Sequence, residues 1–205
     1  MENAVNDGTV LTSILQARGF TVTFLTELKA TRHAILKALE NLPKCETVVV
    51  ALFGHGCSGI HGPAFVPVEA EYNSHCIADK VSVDSLRGFC KRSKAHGILH
   101  ILDCCYGGDF TIRTRGDRPS WTRTQHEKSR IVISSAMMRE KVPDGTPDGH
   151  SPFMEFLIAA MRDETFSGSA IELFVSARSR IIGSKVACLP KIGRFDGDQG
   201  GDVFI

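Results

Sequence analysis

Apolar positions recur along this chain with two alternating periods, one helical and one extended. Val10, Leu11, Ile14 and Leu15 stand at helical spacing, and Gly19 offers a stop. Residues 20–25, Phe-Thr-Val-Thr-Phe-Leu, then alternate as a strand does. Thr31 is placed to cap a second helix with Ile35, Leu36, Leu39 and Leu42 on one face. Residues 47–53 are apolar after the first threonine, which predicts a central, parallel strand buried on both faces.

The alternation continues to the C-terminus. Residues 59–68 read as a glycine-rich excursion or small hairpin, and Ser82 opens a third helix with Leu86, Phe89 and Cys90 inward. Strands follow at 97–102 and 131–135. Ser151-Pro152 combines an N-cap with proline at the first helical position and predicts a helix over 151–162. Ser169 with Glu172 forms a capping box for the last helix, and residues 202–205 read as an edge strand. Strand and helix alternating in this way predict an α/β sandwich: a mostly parallel central sheet with helices on both faces. The length of 205 residues suits a single domain, 1–205, without internal repeats. A basic loop at about 109–130, with Arg113, Arg115, Arg118, Arg123, Lys128 and Arg130, lacks either periodicity. Loops of that length in compact domains are often functional.

Composition narrows the class. A net charge of +1 gives no global electrostatic case for nucleic acid or for an acidic membrane surface. No apolar run approaches the ~20 residues that cross a bilayer, and the polar start Met1-Glu2-Asn3 does not resemble a signal peptide. The seven cysteines, at 45, 57, 76, 90, 104, 105 and 188, are odd in number and contain no CxxC pair. A disulfide framework and a zinc site of usual spacing are both disfavoured, and a reducing, cytoplasmic setting is expected.

Two strand ends carry candidate chemistry. The run 47–53 ends in Gly54-His55-Gly56, and the run 97–102 ends in Asp103-Cys104-Cys105-Tyr106-Gly107-Gly108. In open parallel sheets, ligands and reactive groups collect at the carboxyl ends of strands. A thiol at neutral pH is only a few per cent thiolate and needs a base, and histidine titrates near neutrality. The pair is the minimum for a cysteine nucleophile with a histidine base. Taken alone, a Cys and a His fifty positions apart are a weak signal, better explained as a buried thiol and a structural imidazole.

The surrounding residues resemble the caspase–metacaspase group of cysteine peptidases. In that group one strand ends in His-Gly and a later one in Asp-x-Cys-x-x-Gly or Gln-Ala-Cys-x-Gly; the fifty-residue interval is itself a property of the group. Asn3-Ala4-Val5-Asn6-Asp7 with the following helix, Ala64-Phe65-Val66-Pro67, Ile133-Ser134-Ser135-Ala136 and the glycine-rich stretch 193–205 are similar as well. The resemblance implies Cys105 as nucleophile, His55 as base, the amides of Gly56 and Cys105 as oxyanion donors, and Cys104 as a buried bystander. It further implies that Asp103 lines the pocket and selects Arg or Lys before the scissile bond, a cap or hydrogen-bond anchor being the plainer alternative. Self-cleavage in the basic loop is expected on the same grounds.

Three departures from the family pattern shape the remaining expectations. The first family strand has no counterpart ahead of the first helix, so a partner or a further chain segment is expected to complete the sheet. Phe53 stands where metacaspases commonly have serine. Glu69, Glu71, Asp79 and Asp84 are scattered, whereas calcium needs several oxygens brought together, so no metal or other cofactor is expected. Asp144 and Asp148 read as turn residues. The expected partner is a protein or peptide substrate. Two other readings stay open: a caspase-like enzyme preferring Asp or Asn, and a non-catalytic or zymogenic caspase-like module.

Overall fold

The computed structural model describes residues 3–59, 62–71, 78–106, 127–135, 145–184, 186 and 188–205. Its principal sheet has the order β1-β5-β6-β7, with β1 Thr47–Gly54, β5 Gly97–Cys104, β6 Ser129–Ser134 and β7 Lys191–Arg194. β1, β5 and β6 run parallel, and β7 is antiparallel to β6. A smaller antiparallel sheet of β2 Gly56–Gly59, β3 Gly62–Phe65 and β4 Val81–Ser82 follows the end of β1 directly.

Helices cover both faces. α1 Ala4–Ala17, α4 Pro152–Met161 and α5 Ala170–Gly183 close a core with Leu99, Ile101, Ile131 and Ile133 from one side of the sheet. α2 Arg32–Glu40 and α3 Val83–Arg92 close a second core with Val48, Val50, Leu52, Ile98 and Val132 from the other. β5 is buried at every position, as a strand with neighbours on both sides and helices on both faces must be. Successive residues of β1, β5 and β6 feed opposite cores, which fixes the register. This is the expected α/β sandwich with a mostly parallel sheet.

The local signals act as expected at most element ends. Thr31, Ser82, Ser151 and Ser169 each accept a bond from the amide three residues on, at Ala34, Ser85, Met154 and Glu172. The capping box at Ser169 is half-formed: the Glu172 carboxylate takes the Ser167 hydroxyl, and the Ser169 amide turns to Ser167 Oγ. Gly19 ends α1 with φ +86°, and Asp148 sits in a turn with φ +61°.

Five expectations need correction. α1 begins at Ala4, so Asn6 and Asp7 lie within the helix and not ahead of it. Residues 20–25 are not a paired strand; among the described residues the main chain of 21–25 makes no hydrogen bond. β1 is not central: among the described residues it pairs with β5 alone and forms an edge. The closing edge strand is β7 and not residues 202–205, where a single bridge joins Phe204 to Ser169. A bare Lys-Ile-Gly-Arg has too little periodicity to be read as a strand, and pairing with β6 makes it one. Finally, Arg130 belongs to β6 and not to the basic loop. It is 1% exposed and donates to the carbonyls of Cys90, Ala95, His96 and Ser129. Arg113, Arg115, Arg118, Arg123, Asp144, Cys76, Ala136, Gly107 and Gly108 lie outside the described residues.

Candidate active site

The parallel ladder aligns the two reactive strand ends. Its last pairs are Phe53 with Asp103 and Gly54 with Cys104, so His55 and Cys105 stand side by side one residue beyond the sheet. His55 is exposed and its carbonyl accepts the amide of Val66, which ties it to the β2–β3 hairpin. Cys105 is partly exposed. Tyr106 follows with φ +60°, a left-handed conformation unusual for a bulky residue.

Gly56 explains why the histidine is followed by glycine. A Cβ on Gly56 would lie 2.0 Å from the carbonyl oxygen of Cys105 and 3.2 Å from Cys104 Sγ. The backbones after the histidine and at the cysteine are therefore in direct contact, a separation that only a residue without a side chain permits. Sequence inspection offers glycine for closeness to a substrate; the structure adds closeness to the other half of the site.

The vicinal cysteines separate cleanly. Cys104 is fully buried, and desolvation, then the charges of Asp103, Cys105 and Cys57, pushes its thiol far above the usual range. Alternation along the strand puts Cys105 on the accessible side. The six described cysteines are free thiols.

Asp103 is 1% exposed, and its carboxylate takes the hydroxyl of Ser151, the N-cap of α4. The Ser151 amide donates to Asp7 Oδ2 at 3.2 Å, and His150 Nδ1 lies 2.6 Å from Asp7 Oδ1. Two buried carboxylates from β5 and α1 thus meet through one serine at the carboxyl edge of the sheet. Burial raises the Asp7 pKa against the lowering effect of His150 and Ser151. Asp7, His150 and Ser151 are absent from the sequence-based site. A signal for Asp7 was present: it shares the buried stripe of α1 with Leu11 and Leu15, where a carboxylate calls for partners.

Among the described residues no group of three His, Cys, Asp or Glu is arranged to hold a metal ion, and no helix is long and apolar enough to cross a membrane.

A three-layer sandwich with His and Cys at adjacent ends of parallel strands defines a caspase-fold protein. Two solved structures share that fold. Caspase-1 from Spodoptera frugiperda matches with a TM-score of 0.65 at 17% identity, over 95% of this chain and 80% of that chain. A Geobacter sulfurreducens protein solved as a structural-genomics target matches with a TM-score of 0.63 at 18% identity, over 96% and 88%. No curated protein matches the sequence. The caspase domain of the C14 peptidases matches residues 1–194, and the chain belongs to that family of cysteine peptidases.

Proposed function

We propose that this chain is a cysteine endopeptidase acting through Cys105 and His55 and cutting after arginine or lysine. The observation that carries the reading is the ladder register with its Gly56–Cys105 backbone contact, which sets residues 55 and 105 beside each other. In the proposed reaction His55 takes the Cys105 thiol proton as sulfur bonds to the scissile carbonyl carbon. The carbonyl oxygen becomes an oxyanion held by the amides of Gly56 and Cys105. The tetrahedral adduct collapses, the C–N bond breaks, and His55 returns the proton to the leaving amine. Water, deprotonated by His55, then adds to the thioester carbon, the C–S bond breaks to release the acid, and His55 returns the proton to the Cys105 sulfur.

The preference for a basic side chain rests on Asp103 and Asp7, two carboxylates that converge through Ser151 at the carboxyl end of β5. A second reading, in which Asp103 anchors α4 and specificity arises elsewhere, is favoured by its near-complete burial and its bond to Ser151. Arg113, Arg115, Arg118 and Arg123 are proposed self-processing sites. No calcium requirement is expected, because the acids between His55 and Cys105 are scattered.

Fluorogenic peptides with Arg, Lys, Asp or Asn at the cleavage position, assayed with and without calcium beside Cys105→Ala, test the proposal. Cleavage after Arg or Lys that is lost in the variant supports it. Cleavage only after Asp or Asn keeps the peptidase and removes the pocket argument, and an inert, well-folded protein removes both. Intact mass of the wild type and Cys105→Ala tests self-processing, which predicts fragments from the wild type alone.

A further inference from the structure

We propose that a cavity at the amino-terminal end of β1 binds a monomeric, single-chain amphiphilic anion, an alkyl carboxylate of medium length held chain-inward. The cavity has a volume of about 390 Å³ and lies between the C-terminal ends of α2 and α3 and the residues that lead into β1 and β5. Voids in a packed core rarely exceed a water molecule, whereas pockets for small ligands run from roughly 300 to 1,000 Å³. By size this space belongs with the second group.

Its wall is apolar and its rim is basic. Leu36, Leu39, Leu42, Val48, Phe89 and Ala95 line it. Leu39, Val48, Phe89 and Ala95 are buried members of the core under α2 and α3, so this part of the wall is fixed by packing. Leu42 is different. The apolar face expected for the second helix includes it, but α2 stops at Glu40, and Leu42 keeps 39% of its surface exposed. Lys44, Arg92 and Lys94 line the same cavity against one carboxylate, Glu40. None of these three cations makes an ion pair among the described residues, whereas neighbouring Lys91 reaches Asp196 at 2.8 Å. A cation in the last turn of a helix complements the helix dipole, which accounts for Arg92. Lys44 and Lys94 belong to no helix, and that account does not cover them.

The wall and the rim specify opposite ends of one ligand. An apolar pocket with a few charged groups takes its affinity from the former and its orientation from the latter. A cationic amphiphile would satisfy the wall and meet like charge at the rim, and a small inorganic anion would leave the wall wet. The cavity is also separate from the proposed peptidase site. It takes in Val48, whereas His55 follows the last residue of β1, and seven strand steps of about 3.3 Å span roughly 23 Å. The proposal stands whether or not the chain cleaves peptides.

The test titrates the full chain with hexanoate, octanoate and decanoate by calorimetry, below the concentrations at which they form micelles. Decanoate should bind saturably at one site, and affinity should rise about fourfold per methylene along the series. Decyltrimethylammonium, with the same chain and the opposite head, should bind at least tenfold more weakly. Lys44→Glu combined with Lys94→Glu should reverse that order, and Leu42→Asp should weaken decanoate at least tenfold. All three positions are exposed, so both variants should melt close to the wild type. On the wild-type chain, a decanoate analogue with a diazirine near its tail should label residues within 36–48 or 85–95. The proposal is overturned if binding is not saturable, if the two head groups bind alike, if the charge reversal changes neither affinity, or if the label falls elsewhere. Binding to anionic phosphatidylglycerol vesicles without binding of monomeric decanoate overturns it in favour of a membrane surface.

Discussion

Replacing Gly56 by alanine tests the contact on which the active-site reading depends. The new Cβ would stand 2.0 Å from the Cys105 carbonyl oxygen, and separations under 3.0 Å are essentially never seen, so the two strand ends must part by at least 1.0 Å. The atom in the way is backbone, Gly56 is held by the β2–β3 ladder and Cys105 directly follows the ladder of β1 with β5, so no flexible side chain absorbs the move. Overpacking of this kind costs about 1–3 kcal/mol, which is about 2–4 °C in Tm per kcal/mol for a chain of this size. A misplacement of about 1 Å also costs about a hundredfold in rate. Gly56→Ala should therefore fold, melt measurably lower, and react about a hundredfold more slowly at Cys105 with an arginyl chloromethyl ketone. Iodoacetamide, which needs no oriented pocket, should lose far less. Labelling by the ketone at the wild-type rate together with an unchanged Tm would show that the two backbones are not in contact, and the proposed oxyanion site would go with it.

The vicinal cysteines, His100 and Arg130 each give a further prediction. Cys105→Ala should abolish ketone labelling, while Cys104→Ala should keep it and cost about 1 kcal/mol in urea unfolding; the reverse assignment would require labelling lost in Cys104→Ala. His100 is fully buried beside Phe195 and Phe89, and desolvation holds its pKa down to about 3. The unfolded chain protonates it near 6.5, so its contribution is intact above that pH and is lost as pH falls towards 3, by about 1.4 kcal/mol per unit. His100→Phe should flatten that slope in urea titrations between pH 7 and 4, and an unchanged slope would assign acid sensitivity elsewhere. Arg130→Met strips donors from four carbonyls and should cost about 3–5 kcal/mol. Arg130→Lys should rescue little, because an ammonium cannot reproduce the guanidinium fork; stability within 1 kcal/mol of wild type in either variant would contradict this.

The elements legible in the sequence are those whose signal is local. Thr31, Ser82, Ser151 and Ser169 announce helix starts because a cap is a bond between neighbours in the chain, and the structure contains each of them. The glycines around His55 mark the end of β1 for the same reason. What was not legible depends on partners distant in sequence. Lys191–Arg194 is a strand only because β6 lies beside it, and Arg130 leaves the basic loop only because four carbonyls from α3, the following turn and its own strand converge on it. Asp7 enters the site through Ser151, 144 residues away.

The two readings that failed at β1 and at residues 20–25 are of another kind. Both were correct about the residues: one segment is apolar enough for the interior of a sheet, and the other alternates as a strand should. They failed on pairing, and at the same place. Propensity describes what a segment fits, and the ladder describes what it meets. β1 meets β5 on one side, and residues 21–25 meet no ladder among the described residues, so a segment's own composition states that it can join a sheet and leaves open which neighbours it finds there.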